Sequence, residues 1–233
     1  MINTFKDQKF RHELKYVISI GQLVFLQNRM QHLIPLDKHV DENGKYSIRS
    51  LYFDDYENRC FYENENGTDP REKFRIRIYN HSTEKITLEC KRKEQGKTLK
   101  TSCPLTLEQT RLLMKGKVLP DVSQQPEVLR KLTLQMLTRR MRPVVIVEYD
   151  RIPYVHKNGN VRITLDMNIS SSKDLGSFLD ESIPKRPIMS AGQHLLEVKF
   201  DEFLPDVIHH NLELHSLSQT AFSKYYLCRK YTK

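Results

Sequence analysis

Polar and apolar positions alternate along much of this chain. From Phe10 to Ser19, Arg11, Glu13 and Lys15 fall on one side and His12, Leu14 and Tyr16 on the other, the period-two signature of a strand. Ser19 is placed to cap a helix whose apolar residues, Leu23, Val24, Leu26, Met30, Leu33 and Ile34, recur at helical spacing until Pro35 ends it. Tyr46–Asp54 is a β-rich run, and residues 55–70 are polar, predicting a short helix and a loop. Three strands follow in close succession, Glu72–Tyr79, Lys85–Lys93 and Gly96–Leu105, and connections this short imply antiparallel hairpins. Thr106 and Gln109 have capping-box spacing and open a helix through Met114, and Pro126–Arg139 is a second one. Pro143–Tyr154 and Asn160–Ile169 read as a hairpin about His156–Gly159, residues 170–190 as irregular, and His194–Phe200 as a last strand. Pro205–Leu214 and Ser218–Lys230 are predicted helices. The sum is about eight mostly antiparallel strands with helices between and after them, an α+β class.

The strand faces carry an unusual load of charge. Arg75 and Arg77 share one face, opposite Phe74, Ile76 and Ile78. Glu89, Lys91 and Lys93 share another, as do Glu148 with Asp150, Arg162 with Thr164 and Asp166, and Glu197 with Lys199. An antiparallel sheet with one face in water gives the same alternation. Two features favour a closed sheet instead. The charged positions recur in nearly every strand with few Thr, Ser or Gln among them, and the helices need apolar sheet surface to pack on. A barrel puts the helices against an apolar outside and the charges on an inner wall.

Composition sharpens this picture. The 233 residues carry 38 Lys and Arg against 29 Asp and Glu, a formal charge of +9, and 38% are hydrophobic, enough for a real core. No repeat, linker or domain boundary stands out, so residues 1–233 read as one domain. The longest aliphatic stretch, Val144–Val147, is too short to span a bilayer, and Met1 to Arg11 lacks a signal-peptide core, which makes the cytosol the expected compartment. The eight glycines are isolated, with no P-loop or G-x-G-x-x-G, so phosphates would have to be held by side chains. Cys60, Cys90, Cys103 and Cys228 form no C-x-x-C pair and read as reduced, packed thiols, and His209, His210 and His215 as surface residues. Arg offers bidentate donors to phosphate oxygens and Lys a point charge. Converging cations repel one another without a polyanion, and interspersed carboxylates relieve that repulsion or hold a hard divalent metal.

An ordered set of short motifs carries a resemblance. Arg-His-Glu-Leu-Lys-Tyr at 11–16, Ser-Leu-Tyr-Phe-Asp at 50–54, Phe-Arg-Ile-Arg-Ile-Tyr at 74–79 and Leu-Glu-Cys-Lys at 88–91 come first. Lys-Thr-Leu-Lys at 97–100, Val-Arg-Ile-Thr-Leu-Asp at 161–166, Leu-Glu-Val-Lys at 196–199 and Phe-Ser-Lys-Tyr at 222–225 follow. Together, from Phe10 to Tyr226, they resemble the VTC-type polyphosphate polymerase domain, a branch of the triphosphate tunnel metalloenzymes. The resemblance implies an eight-stranded antiparallel tunnel barrel with helices packed outside. It implies transfer of the γ-phosphate of ATP onto polyphosphate, with Mn²⁺ or Mg²⁺. It implies phosphate ligands at Lys15, Arg75, Arg77, Lys91, Lys100, Arg162, Lys199, Ser223 and Lys224, and a metal carboxylate at Glu197. Lys15, Arg75, Arg77, Lys91, Arg162 and Glu197 form the implied catalytic set, with no covalent nucleophile.

One departure stands out. The wider superfamily carries Glu-x-Glu-x-Lys in its first strand, and this chain reads Arg11-x-Glu13-x-Lys15. Loss of the first carboxylate weakens metal binding there and makes the tunnel more basic, as suits an enzyme that retains an anionic product. Glu13, Glu89 and Glu148 are expected to balance Lys and Arg or to assist the metal. The expected partners are ATP and polyphosphate, and eukaryotic members of the family work beside a membrane complex. A triphosphatase, a non-catalytic polyphosphate-binding module and a nucleic-acid binder are the competing readings. The last ranks lowest, because no RRM, KH or zinc-finger signature accompanies the charge.

Overall fold

The computed structural model describes residues 10–232, so the first nine residues of the polar N-terminal stretch lie outside it. In chain order the strands are β1 (His12–Ser19), β2 (Tyr46–Asp54), β3 (Arg71–Tyr79), β4 (Ser82–Glu94), β5 (Lys97–Leu105), β6 (Arg142–His156), β7 (Val161–Ser172), the two-residue β8 (Arg186–Pro187) and β9 (Gln193–Phe200). The helices are α1 (Ile20–Leu33), α2 (Arg59–Glu65), α3 (Leu107–Met114), α4 (Glu127–Arg139), α5 (Asp206–Leu212) and α6 (Lys224–Lys230). Capping boxes start α1 and α3: the Ser19 and Thr106 side chains accept from the backbone N–H of Gln22 and Gln109, whose side chains accept in return.

The eight long strands form one antiparallel sheet in the order β1-β9-β7-β6-β2-β3-β4-β5. The sheet curls until its edges meet, where Arg11 and Thr98 exchange two backbone hydrogen bonds of 3.0 Å. Beyond that bridge, residues 219–220 run extended along the free edge of β1, with Gln219 bridging Tyr16 and the Thr220 N–H bonded to the Lys15 carbonyl at 2.8 Å. The tail thus covers part of the seam between β1 and β5. The predicted helix from Ser218 begins only at Lys224, because Gln219 and Thr220 spend backbone groups on this edge.

The apolar halves of the strands face outward, as the alternation predicts. Leu23, Leu26 and Met30 of α1 and Ile208 and Leu212 of α5 bury against Tyr16, Ile152, Ile163, Leu196 and Val198. Leu113 of α3 and Leu129, Leu132 and Met136 of α4 bury against Phe74, Ile76, Ile78, Leu88 and Cys103. Hydrophobic burial of the sheet's outer face is what holds the helices there.

Two expectations fail. The first concerns β6. Register pairs Ser50 with Val147 and with Arg77, so on β6 the odd residues Tyr149 and Arg151 face inward. Glu148 points outward into a buried ion pair with Arg49, whose guanidinium also donates to the carbonyls of Phe178, Asp180 and Glu181. Val144–Val147 is apolar on both faces and hides the parity, and a bulge against β7 lies between Glu148 and Asp150. Second, residues 170–190 are not uniformly irregular: β7 continues through the buried Ser170, Ser171 and Ser172, and β8 pairs with Ser170 and Ser171. The four cysteines are free and buried. Among the described residues no helix is long and apolar enough to cross a membrane.

Candidate functional site in the barrel interior

A cavity of about 340 Å³ occupies the barrel interior. Its described lining carries ten Lys and Arg side chains against two carboxylates, Glu13 and Glu197. The antiparallel register creates this arrangement. Lys15 of β1 sits opposite Glu197 of β9, and Glu13 opposite Lys199, so two carboxylates and two ammonium groups alternate on one patch of wall. The Lys15 Nζ lies 3.2 Å from Glu13 and 3.5 Å from Glu197, and donates to the Phe222 carbonyl at 2.8 Å. Lys199 pairs with Glu197 at 2.8 Å, and Lys91 of β4 reaches across the seam to Glu13 at 2.6 Å.

A second group lies along β6, β7 and α6. Arg151 makes a two-pronged contact with Asp166, at 2.6 and 2.8 Å, and a third to Glu197 at 3.3 Å. Lys224 shares the Asp166 Oδ2 with Arg151, at 2.6 Å, and stands 4.8 Å from the Tyr149 ring centre. Tyr225 anchors α6 by donating its hydroxyl proton to Asp54, which also accepts from the N–H groups of Cys60 and Phe61. A third group lies on β2, β3 and β4. Arg75 pairs with Glu89 at 2.6 Å and donates to the Tyr52 hydroxyl at 2.8 Å, while Arg77 donates to Ser50 and Tyr149.

Burial drives all these charges toward neutrality, and their partners decide the outcome. Burial pushes the Glu13 carboxyl up, but Lys15 and Lys91 outweigh it and hold it at about 2. Burial likewise opposes ionisation of Glu89 and Glu197, yet Arg75 and Arg77 beside the first, and Lys199 and Lys224 beside the second, hold both well below the usual carboxylate range. Burial lowers Lys91 to about 8, with Glu13 offsetting part of the effect. Lys73 is lowered furthest, to about 7, by burial and by Lys91, Arg71 and Lys15. Its Nζ donates to Asn64 and, at 3.2 Å, to Ser223, and lies 5.2 Å from the Tyr225 ring centre.

Of the sequence-derived site residues, Lys15, Arg75, Arg77, Lys91, Glu197, Lys199, Ser223 and Lys224 converge on the cavity. Ser223 caps α6, accepting from the Tyr226 N–H. Lys100 is half exposed and reaches Glu89 at 3.0 Å from outside the lining. Arg162 lies on the inner face opposite Lys199, but its guanidinium turns to Asp37 at 2.9 Å and the Tyr46 hydroxyl at 2.7 Å. Arg151, Lys73, Arg71 and Lys93 line the cavity without having been singled out. For Arg71 and Lys73 the signal was present, since they continue the alternation of Arg75 and Arg77, and Lys93 continues that of Glu89 and Lys91. Arg151 was hidden by the inverted parity of β6.

Among the described residues no cluster of three His, Cys, Asp or Glu side chains is placed to hold a metal ion. The pair Glu13 and Glu197 still fits a hard divalent cation of the Mg²⁺ kind, which is held by one or two carboxylates with phosphate oxygens and water completing its shell. Both carboxyls are ionised at neutral pH and both touch Lys15.

Several solved structures share this fold. A candidate adenylate cyclase from Bacillus halodurans is 16% identical, with 91% of this chain and 92% of that one covered at a TM-score of 0.54. A candidate adenylyl cyclase from Hippeastrum, described as having a dominant triphosphatase activity, is 12% identical over 95% of each chain at a TM-score of 0.55. A candidate adenylate cyclase from Vibrio parahaemolyticus is 10% identical, over 95% of this chain and 98% of that one, at a TM-score of 0.51. At these identities the likeness concerns the fold, a triphosphate tunnel barrel. No curated protein matches the chain. The VTC domain family model matches residues 10–233, from the strand that carries Glu13 and Lys15 to the helix that carries Lys224. The inward-facing cations, the two ionised carboxylates and this match across nearly the whole length agree, and the chain belongs to the VTC domain family.

Proposed function

We propose that the protein is a metal-dependent polyphosphate polymerase that transfers the γ-phosphate of ATP onto a polyphosphate chain inside the barrel. The excess of cavity cations carries this reading: ten Lys and Arg side chains meet two lining carboxylates, Glu13 and Glu197, and two more that pair with them from behind, Glu89 and Asp166. Such a wall is electrostatically incomplete without a polyanion and favours retention of an anionic product over its release. Membership of the VTC domain family supports the same conclusion. Lys15, Arg75, Arg77, Lys91, Lys199 and Lys224 act as phosphate ligands, and Arg151 takes the role that the sequence motifs assigned to Arg162. Ser223 orients Lys73, and Lys100 and Arg162 steer phosphates at the periphery.

Glu13 and Glu197 would hold Mn²⁺ or Mg²⁺, which would supply neutralisation of phosphate oxygens. The protein's own contribution is positioning: cations from β1, β3, β4, β6 and β9 fix the phosphoryl groups in line and stabilise charge as it develops. No side chain forms a covalent intermediate.

A triphosphatase is the second reading, favoured by the activity described for the Hippeastrum protein of the same fold. Incubation with ATP and Mn²⁺ separates the two. Long polyphosphate on a gel with little free phosphate supports the polymerase, and free phosphate alone supports the triphosphatase. Arg75→Ala, Arg77→Ala or Glu197→Ala is expected to abolish turnover with the fold intact, and full activity in all three would overturn the tunnel assignment.

A further inference from the structure

The ten cavity cations are not equivalent. Seven have a carboxylate at ion-pair distance: Lys15, Lys91 and Lys199 with Glu13 or Glu197, Arg75 and Arg77 with Glu89, and Arg151 and Lys224 with Asp166. Among the described residues, Arg71, Lys73 and Lys93 have none. All three lie at one rim of the barrel, where β3 begins and β4 ends, beside Gly96 of the β4–β5 turn and Thr98 at the seam.

The register makes this rim costly for the empty protein. Arg71 stands directly opposite Lys93, and Lys73 directly opposite Lys91, so two successive cross-strand pairs carry like charge. Such pairs destabilise a sheet unless something offsets them. Lys73 is fixed by Asn64 and Ser223, both neutral, and Arg71 is tied to the Thr68 carbonyl at 2.6 Å. The groups facing Lys73 are Lys91 on β4, Arg71 on β3, Lys15 on β1 and Cys60 on α2, with the Tyr225 ring on α6. Lys93 feels Arg71 and Lys15 and, more weakly, the acids Glu13 and Asp69. Along β3, Arg71 lies four residues from Arg75, about 13 Å at roughly 3.3 Å per residue. Glu13 reaches this end of the barrel, pairing with Lys91 at 2.6 Å and accepting from Thr98 at 3.2 Å, but it makes no ion pair with Arg71, Lys73 or Lys93, which stand uncompensated at the rim.

We propose that Arg71, Lys73 and Lys93 form a chain-holding subsite that binds phosphates beyond the triphosphate, so that this mouth carries the polyphosphate strand. The assignment rests on the polyphosphate reading above and adds to it a direction for the tunnel. The ligand is recognised as a flexible line of phosphates, each contributing roughly one charge, and needs no base or sugar. It supplies the counter-charge that the protein withholds at this rim.

Binding tests this independently of turnover. Dissociation constants are measured by calorimetry, without metal, for inorganic triphosphate, long-chain polyphosphate and an oligothymidylate. The proteins are wild type, Lys73→Gln, Lys93→Gln, the double variant and Lys93→Arg. A charge-assisted contact is commonly worth about tenfold in affinity. The double variant is therefore expected to lose on the order of tenfold to a hundredfold for the long chain and at least several-fold less for triphosphate, with Lys93→Arg near wild type. The slope of log affinity against log salt for the long chain should fall by about 1.4 when two contacts are lost. Equal losses for both ligands, or no loss for either, overturn the subsite. So does an equal loss for oligothymidylate binding of comparable strength, which would mark a general polyanion patch. A folding defect is identified by the melting temperature, and Lys93→Gln, at the rim, then carries the test alone. Absence of polyphosphate product in the wild type, with these binding differences intact, would overturn the polymerase and leave the subsite standing.

Discussion

Lys73→Met is expected to make the ligand-free protein more stable. Lys73 is pushed from 10.5 down to about 7 by burial, Lys91, Arg71 and Lys15. At about 1.4 kcal/mol per pH unit the difference corresponds to about 5 kcal/mol of strain when the group is charged. Partial access to water screens that figure. Two hydrogen bonds, to Asn64 and Ser223, also disappear with the ammonium group. A net gain of about 2 kcal/mol remains, and for a domain of this size it raises Tm by roughly 4–8 °C. Methionine keeps the unbranched stem and its packing, so cavity formation does not confound the change.

The pH dependence gives the sharper test. Folded Lys73 holds its proton less tightly than the unfolded chain does. Between about pH 7 and 10.5 the unfolded state therefore binds more protons, and wild-type stability rises with pH through that window. The advantage of Lys73→Met should be full at pH 7 and vanish as pH approaches 10.5. Thermal or urea denaturation followed by circular dichroism at both ends of the window reads this directly. A variant that is less stable at pH 7, or whose advantage does not change with pH, refutes the claim that an uncompensated buried cation sits here.

Three further outcomes follow from the ion-pair map. Arg151→Gln should cost at least tenfold in triphosphate affinity, whereas Arg162→Gln, which breaks a contact with Asp37 away from the cavity, should cost less than about threefold; calorimetry with inorganic triphosphate reads both, and the reverse order would reject the reassignment. Glu197→Gln should weaken Mn²⁺ binding in the presence of triphosphate while tightening metal-free triphosphate binding, because Lys15, Arg151 and Lys199 lose a competing anion; unchanged metal-free affinity would contradict that competition. Glu13 is held at about 2 against an ordinary 4.5, so its ionisation contributes up to about 3 kcal/mol of stability that is present above pH 4.5 and lost as pH falls toward 2; Glu13→Gln should flatten that acid limb in urea titrations, and an unaltered limb would show that other carboxylates dominate it.

Much of this molecule was legible along the chain because strand alternation is a local property. The faces of β1, β3, β4, β7 and β9 follow from period two alone, and with them the grouping of Lys15, Arg75, Arg77, Lys91, Glu197 and Lys199 on the charged side, which closure of the sheet then turns inward. Helix starts at Ile20 and Leu107 follow from Ser19 and Thr106, since a cap is satisfied within one turn. Where local signals are silent, the reading failed. Val144–Val147 is apolar on both faces, so the parity of β6, and with it Arg151, was invisible. Gln219 and Thr220 run extended because β1 offers them a free edge.

The sequence by itself determined the class of fold, the segregation of charge to one face of most strands and the scarcity of backbone phosphate loops, because each depends on residue type and near-neighbour spacing. Only the tertiary structure decided which charges neutralise one another. Arg162 and Arg151 are equally basic in sequence, yet one turns to Asp37 and the other grips Asp166 and Glu197. Lys73 and Lys91 differ in whether a carboxylate from β1 reaches them. Electrostatic pairing depends on distances of a few ångströms between strands far apart in the chain, and those distances exist only once the sheet has closed.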